Sequence, residues 1–197
     1  AASPPFADHL NRRVASFLER SRRALQVVYA SQTLAEQSLE APLAGLPLGH
    51  TGWASAQFGI GAFLWPVVTA LILVRRIAHS PLPDRLLPAW FIVVAPPAVI
   101  GLVLAQLSER GQAPLIAVQA LWGIGLFFLL WVLPVLKRAI AQPFGVAFWA
   151  LSFPLAAFTT LTLRLVELQG ATGGALQMAG VLLLAATSMV VLWLGFA

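Results

Sequence analysis

The sequence predicts an all-α, polytopic membrane protein, and its composition and five long apolar runs support that prediction. Of the 197 residues, 59% are hydrophobic and 10% are charged, whereas a soluble domain has about 25% charged residues. The mean hydropathy is +0.86. Each apolar run has about 20 residues or slightly more, which lets a helix cross the roughly 30 Å hydrocarbon core of a bilayer. We therefore expect a bundle of five transmembrane helices in contact with lipid.

The predicted spans lie within a transmembrane domain at 50–197. They cover about 53–74, 86–107, 113–136, 144–167 and 174–196. The second span contains the pair Pro96-Pro97, and the fourth contains Pro154. Proline removes helical hydrogen bonds, and the freed carbonyls are tolerated at bilayer depth only where protein or water satisfies them. We therefore expect the second and fourth spans to lie inside the bundle and the smoother third and fifth spans to face lipid.

The N-terminal region at 1–49 has a different character. It holds five of the twelve basic residues, and apolar residues recur at helical spacing between about 8 and 28. This pattern predicts an amphipathic helix on an anionic membrane surface. The alternatives are a solvated cap or a segment that is not native to the fold. Residues 41–49 contain two prolines and two glycines and are predicted to form a turn-rich linker.

The charged loops predict the orientation. Arg75, Arg76 and Arg85 lie between the first and second spans, and Lys137 and Arg138 lie between the third and fourth. By the positive-inside rule these loops are cytoplasmic, and so is the C-terminus. A bacterial inner membrane fits this bias. The Arg-rich N-terminal region then lies on the disfavoured side unless further spans precede it, so we expect the chain to be a piece of a longer protein.

The predicted spans offer few groups for catalysis. The chain has no Cys, and no Asp, Glu, Lys or His lies in the cores of the five spans. Ser152 has no candidate base at helical spacing, so neither nucleophilic nor metal-assisted hydrolysis is supported. The net charge of +5 comes from basic residues beside apolar spans, where they set topology. The sequence therefore predicts no enzyme, no cofactor and no nucleic-acid partner, and favours a passive conduit or a structural bundle.

One face of the fourth span carries a mixed set of side chains. At steps of four, three and four residues it presents Phe153, Ala157, Thr160 and Arg164. A ring at mid-membrane can plug a pore, a hydroxyl can replace part of an anion's hydration shell, and a cation at the mouth can attract anions. The alternative is that Phe153 packs in the core and Arg164 snorkels to the interface. The other candidate pore-lining residues are Pro96, Pro97 and Pro154.

Four segments carry a family resemblance. They are LPLGHTGWASAQFGIGAFLW (46–65), LPAWFIVVAPPAVIGLVLAQL (87–107), LWGIGLFFLLWVLP (121–134) and FGVAFWALSFPLAAFTTLTL (144–163). The second contains Ala-Pro-Pro, and the fourth contains Trp-x-x-x-Phe-Pro. In this order they resemble the sixth to ninth helices of the tellurite-resistance/dicarboxylate transporter family, which includes the plant slow-type anion channels. The resemblance covers about 45–197, the C-terminal half of that fold.

The resemblance implies a ten-helix fold of five hairpins, assembled as a homotrimer. Each subunit of that fold has its own pore, lined by the odd-numbered helices, which here are the second and fourth spans. A phenylalanine plugs the pore, and Phe153 stands at the matching position. The implied ligands are small inorganic or dicarboxylate anions, with tellurite or sulfite export claimed for some members. The first five helices have no counterpart, and residues 1–43 do not resemble the fifth.

The leading interpretation is passive or secondary transport of small anions through a pore gated by Phe153. The chain acts in this interpretation as a fragment of a larger protein. The alternative is a structural or assembly subunit of the membrane that transports nothing itself.

Overall fold

The computed structural model describes residues 34, 37–78, 84–141, 143–170 and 174–196, and within these ranges every regular element is helical. The α-helices are α1 (Thr51–Ala78), α2 (Ala95–Glu109), α3 (Leu115–Ile140), α4 (Ser152–Gln169) and α5 (Ala175–Phe196). Two 3-10 segments, Asp84–Val94 and Val146–Leu151, run directly into α2 and α4. The predicted all-α class is confirmed.

Among the described residues, five segments are long and apolar enough to cross a membrane, as the sequence predicts. They are Thr51–Arg75, Leu86–Glu109, Leu115–Ile140, Val146–Gln169 and Ala175–Phe196. The second and fourth each combine a 3-10 segment with the α-helix that follows it. Their bounds differ from the predicted ones by a few residues, because the periodicity of an apolar run does not mark where a helix ends.

The prolines of the second and fourth spans occupy the start of an α-helix. Pro96 and Pro97 lie in the first turn of α2, and Pro154 is the third residue of α4. The first N–H groups of an α-helix have no intrahelical acceptor, so a proline there costs the α-helix no hydrogen bond. The structure thus differs from the expected break inside a helix, because each span instead changes from 3-10 to α geometry at its prolines.

Burial separates the spans into inner and outer ones. The second and fourth spans are 67% and 44% buried, whereas the first, third and fifth are 11%, 22% and 17% buried. The most extensive helix contact joins α2 to α4, and the two 3-10 segments also pack against each other. Helices α3 and α5 lie beside this central pair. The expected arrangement of interrupted inner spans and smooth outer spans is therefore present.

Two glycines allow the helices to approach closely. A Cβ on Gly101 of α2 would lie 2.7 Å from Leu161 Cδ2 of α4, and a Cβ on Gly125 of α3 would lie 2.8 Å from Phe158 Cε2. Phe158 is fully buried and stacks on Trp122 with ring centroids 6.2 Å apart. Small residues at such crossings let membrane helices gain van der Waals contact.

The residues before α1 pack on the bundle. Residues 37–45 are helical and 46–49 form a turn, so helix replaces the first part of the linker expected at 41–49. Leu39 is 1% exposed, and its side chain fills the space beside Gly61 of α1. The amphipathic helix predicted at about 8–28 lies outside the described residues.

Substituting Gly125 with alanine should destabilise the bundle by about 1–3 kcal/mol, because the new methyl group collides with the fully buried Phe158 ring. Gly123→Ala is the matched control on α3, since no described atom outside its own stretch of the helix lies within 4 Å of its Cβ position. The control should be neutral or gain up to about 1 kcal/mol from helix propensity. Unfolding of both variants in detergent measures the difference, and equal stabilities would contradict the proposed close contact.

Candidate functional site

Helix α4 has one exposed face, although its other sides are packed. The exposed residues on this face are Phe153, Ala156, Thr160, Arg164 and Glu167. Their spacing of three or four residues places them in one stripe along the helix. The stripe is apolar where α4 begins and polar or charged towards its end. Of the predicted set, Phe153, Thr160 and Arg164 share this face, whereas Ala157 is 7% exposed and packs in the core.

The other threonines of α4 hold the helices together. The hydroxyls of Thr159 and Thr187 of α5 lie 2.8 Å apart in a buried hydrogen bond. The Trp122 indole of α3 donates to Thr162 Oγ1 at 3.0 Å, and Thr162 in turn donates to the Phe158 carbonyl at 2.8 Å. Hydroxyls commonly link membrane helices in this way. Of the three threonines at 159, 160 and 162, only Thr160 remains on the exposed face.

A small pocket lies where the polar end of the stripe meets α2 and the residues before α1. It has a volume of about 200 Å³ and is lined by Leu43, Leu102, Ala105, Gln106, Glu109, Thr160 and Arg164. We call this site the polar pocket. The Thr160 hydroxyl donates to the Ala156 carbonyl at 2.8 Å, so its hydrogen is engaged within α4. A hydroxyl, an amide, a carboxylate and a guanidinium thus meet at the end of two inner spans.

Ion pairs hold the charges at this end. Arg164 Nη1 lies 2.8 Å from Glu167 Oε2 and 3.7 Å from Glu109 Oε1. The three side chains are roughly half exposed, at 51% for Arg164, 46% for Glu109 and 62% for Glu167. One cation therefore faces two carboxylates, and the three groups carry a net formal charge of −1. Arg164 compensates acidic neighbours here, so its attraction for an anion is weaker than that of an isolated cation.

Gln106 ties α2 to the segment before α1. Its Nε2 donates to the Leu43 carbonyl at 3.4 Å, and its buried Oε1 has no hydrogen-bond partner among the described residues. Beside it, Arg110 Nη2 donates to the Leu46 carbonyl at 3.0 Å. These contacts place the turn at 46–49 at the same end of the bundle as Glu109. An unsatisfied buried amide oxygen costs about 1–3 kcal/mol unless a ligand or water pairs with it.

The remaining predicted residues lie outside the polar pocket. Phe153 is 45% exposed and lies seven residues before Thr160, about 10 Å along the helix axis. Pro97 and Pro154 are buried, and Pro96 is partly buried. The three prolines therefore mark the junctions between 3-10 and α geometry and do not line the pocket.

Sequence reasoning missed Gln106 and Glu109. Gln106 lies three residues before Glu109, and that spacing puts both on one face of α2. This pattern was visible in the sequence, but nothing in it showed that the face meets Arg164 of another helix. Within the described ranges, no group of three or more His, Cys, Asp or Glu residues is placed to hold a metal ion.

Replacing Thr162 with valine should lower the stability of the bundle, because the Trp122 N–H loses its acceptor in an apolar environment. Interhelical hydrogen bonds in membranes contribute about 0.6 kcal/mol on average and about 1.7 kcal/mol at most, and we expect a loss in this range. Thr160→Val is the control, because its hydroxyl bonds only within α4 and faces the pocket. Unfolding in detergent should distinguish the two variants, and equal effects would contradict the assigned roles.

The chain is similar to membrane transport proteins. A family model described as voltage-dependent anion channel matches residues 25–197. The match begins earlier than the resemblance at about 45 and includes the segment before α1. Two proteins titled uncharacterized transporters, both from Methanocaldococcus jannaschii, are 27% and 26% identical to this chain. The alignments cover 56% and 58% of the chain but 33% and 35% of those proteins. The chain thus matches about a third of their length, and no solved structure matches it.

Proposed function

The chain belongs to the voltage-dependent anion channel family, and on this basis we propose that it forms part of a pathway for small anions across a membrane. The family match supports transport rather than catalysis. The observation that carries the proposal is the exposed stripe of α4, which lies on a largely buried span and bears a hydroxyl and charged groups. Hydrocarbon solvates such groups poorly, so water or other protein is the environment that suits this face.

Phe153 is the proposed gate of this pathway. Its ring is exposed on the same face as Thr160 and Arg164, at the apolar end of the stripe and close to the junction between 3-10 and α geometry. An apolar constriction can close a pore by steric blockage or by dewetting. The polar pocket, about 10 Å along the helix, is the proposed entrance, where the Arg164 guanidinium is the hydrogen-bond donor available to a partly dehydrated anion.

A complete pathway needs more walls than the described residues supply. We propose that this chain acts as the C-terminal part of a longer protein, in which further helices cover the stripe. The segment at 37–45 is in this view the end of the preceding helix, since the family match already includes it. The proposed whole has ten helices per subunit and forms a homotrimer in a bacterial inner membrane, with the C-terminus in the cytoplasm. Dicarboxylates, sulfite and tellurite are candidate substrates.

The alternative function is a structural or assembly subunit without transport of its own. The exposed face of α4 is also compatible with this alternative, because a structural subunit offers a polar surface to its partner. Anion flux into liposomes separates the two functions. Flux by the purified protein supports the channel, whereas a correctly inserted protein that conducts nothing, alone or with a partner, supports the structural subunit.

Phe153→Ala should raise anion flux by about tenfold or more, which corresponds to a barrier lower by about 1.4 kcal/mol. The reason is that removal of the ring opens the apolar constriction. Phe127→Ala is the matched control, because Phe127 is 61% exposed on the outer helix α3. Liposome flux assays on the complete protein measure both variants. Unchanged flux in a folded and inserted Phe153 variant, or an equal rise in the control, would remove Phe153 from its proposed role.

The charges at the polar pocket should tune anion entry in opposite directions. Glu109→Gln should raise entry and Arg164→Gln should lower it, each by about two- to fivefold at low ionic strength, since a unit charge a few ångströms away contributes up to about 1 kcal/mol in water. At about 1 M salt, where the Debye length is roughly 3 Å, both effects should vanish. Flux measured across a salt series is the test, and effects that persist at high salt would indicate a structural role for the ion pairs.

A further inference from the structure

An apolar groove lies at the end of the bundle opposite the polar pocket. It has a volume of about 330 Å³ and runs between three elements. Its lining includes Leu136 and Ile140 of α3, Leu151 and Leu155 of the fourth span, and Met189 and Trp193 of α5. Because every lining side chain is apolar or aromatic, the groove suits a hydrocarbon chain and offers little to a polar ligand.

A cation adjoins the lining of this groove in the sequence of α3. Lys137 follows Leu136 in the last turn of α3, and helix geometry sets it about 80° from the direction shared by Leu136 and Ile140. Arg138 points about 180° away from that direction. Both cations are exposed, and neither forms an ion pair with any residue that the structure describes. Lys137 can therefore reach an anionic group above the groove, whereas Arg138 cannot.

An aromatic cluster beside the groove indicates the level of the bilayer at which the groove lies. The Trp193 ring packs edge-on against Phe144 and Phe148, with centroids 5.6 and 5.4 Å apart. Trp193 is 43% exposed at the end of the last span. Tryptophans at such positions typically lie at headgroup level, where the indole N–H meets polar groups. The mouth of the groove therefore lies at the level of lipid headgroups, on the side that the basic loops assign to the cytoplasm.

We propose that this groove is a binding site for an anionic phospholipid. One acyl chain lies in the groove, the Lys137 ammonium contacts the headgroup phosphate, and the Trp193 indole donates to the ester region. A cation without an ion pair among the described residues, beside an apolar cavity, is a charge arrangement that recognises anionic lipid, and basic sites between membrane helices on the cytoplasmic side bind such headgroups. The site is independent of the proposed anion pathway, which lies on another face of α4.

The headgroup contact is tested by native mass spectrometry of the full chain with phosphatidylglycerol or with phosphatidylcholine of the same acyl chains. Lys137→Gln should weaken phosphatidylglycerol binding about fivefold, because a cation near the surface contributes about 1 kcal/mol to the binding of anionic lipid. Phosphatidylcholine binding should be unchanged. Arg138→Gln removes the same charge on the opposite side of α3 and should change neither affinity. Equal losses in the two variants, or equal binding of the two lipids by the unmodified chain, would overturn the proposal.

The acyl contact is tested with a larger side chain in the groove. Met189 is 71% exposed, so Met189→Trp should fold and should lower the affinity for both lipids at least threefold by filling the groove. Met178→Trp is the matched control, because Met178 is 65% exposed on the same helix but lies outside the groove. Unchanged binding by Met189→Trp would overturn the proposal. So would a lower oligomeric mass in place of lipid loss, which would identify the groove as an interface between copies.

Discussion

The close packing of α2 on α4 is the contact on which the rest of the bundle depends. Leu161 enters the space beside Gly101, and this fixes both the distance and the register of the two inner helices. Because the helices run in the same direction, that register brings Glu109 to within 3.7 Å of Arg164 at one end. At the other end it holds the two 3-10 segments together. The ion pairs and the polar pocket are therefore consequences of one apolar contact.

The polar groups of α4 divide into buried ones that join helices and exposed ones on the stripe. Hydroxyls that point towards α3 and α5 are buried in hydrogen bonds, and they join α4 to its neighbours. On the remaining side, Thr160 and Arg164 lie open. The outer helices show the opposite pattern, since α1 exposes side chains such as Phe63 and Val74 that hydrocarbon solvates well. An uncovered polar face on an inner helix and apolar faces on outer helices are what a protein-lined path through lipid requires.

Composition and apolar run length were sufficient to predict the number and order of the spans in the described part of the chain. Pro96, Pro97 and Pro154 marked the inner spans, although Pro66 and Pro134 lie in outer helices. The reason is that hydrocarbon thickness and backbone hydrogen bonding act on each segment separately. The polar pocket could not be predicted in the same way, because Gln106 and Glu109 meet Arg164 only through the register of two helices. The burial of Ala157 could not be predicted either. Helical spacing placed it on the face of Phe153, but packing against a neighbouring helix buries it. Pairwise contacts between helices leave no periodic signal in either helix alone.

The 3-10 segments also affect the length of the inner spans. A 3-10 helix rises about 2.0 Å per residue and an α-helix about 1.5 Å. The nine residues of 3-10 geometry in the span Leu86–Glu109 therefore extend it to about 40 Å, where 24 residues of α-helix would reach about 36 Å. The 26 residues of α3 reach about 39 Å. Local stretching thus gives an inner span of 24 residues the length of a neighbouring α-helix of 26 residues.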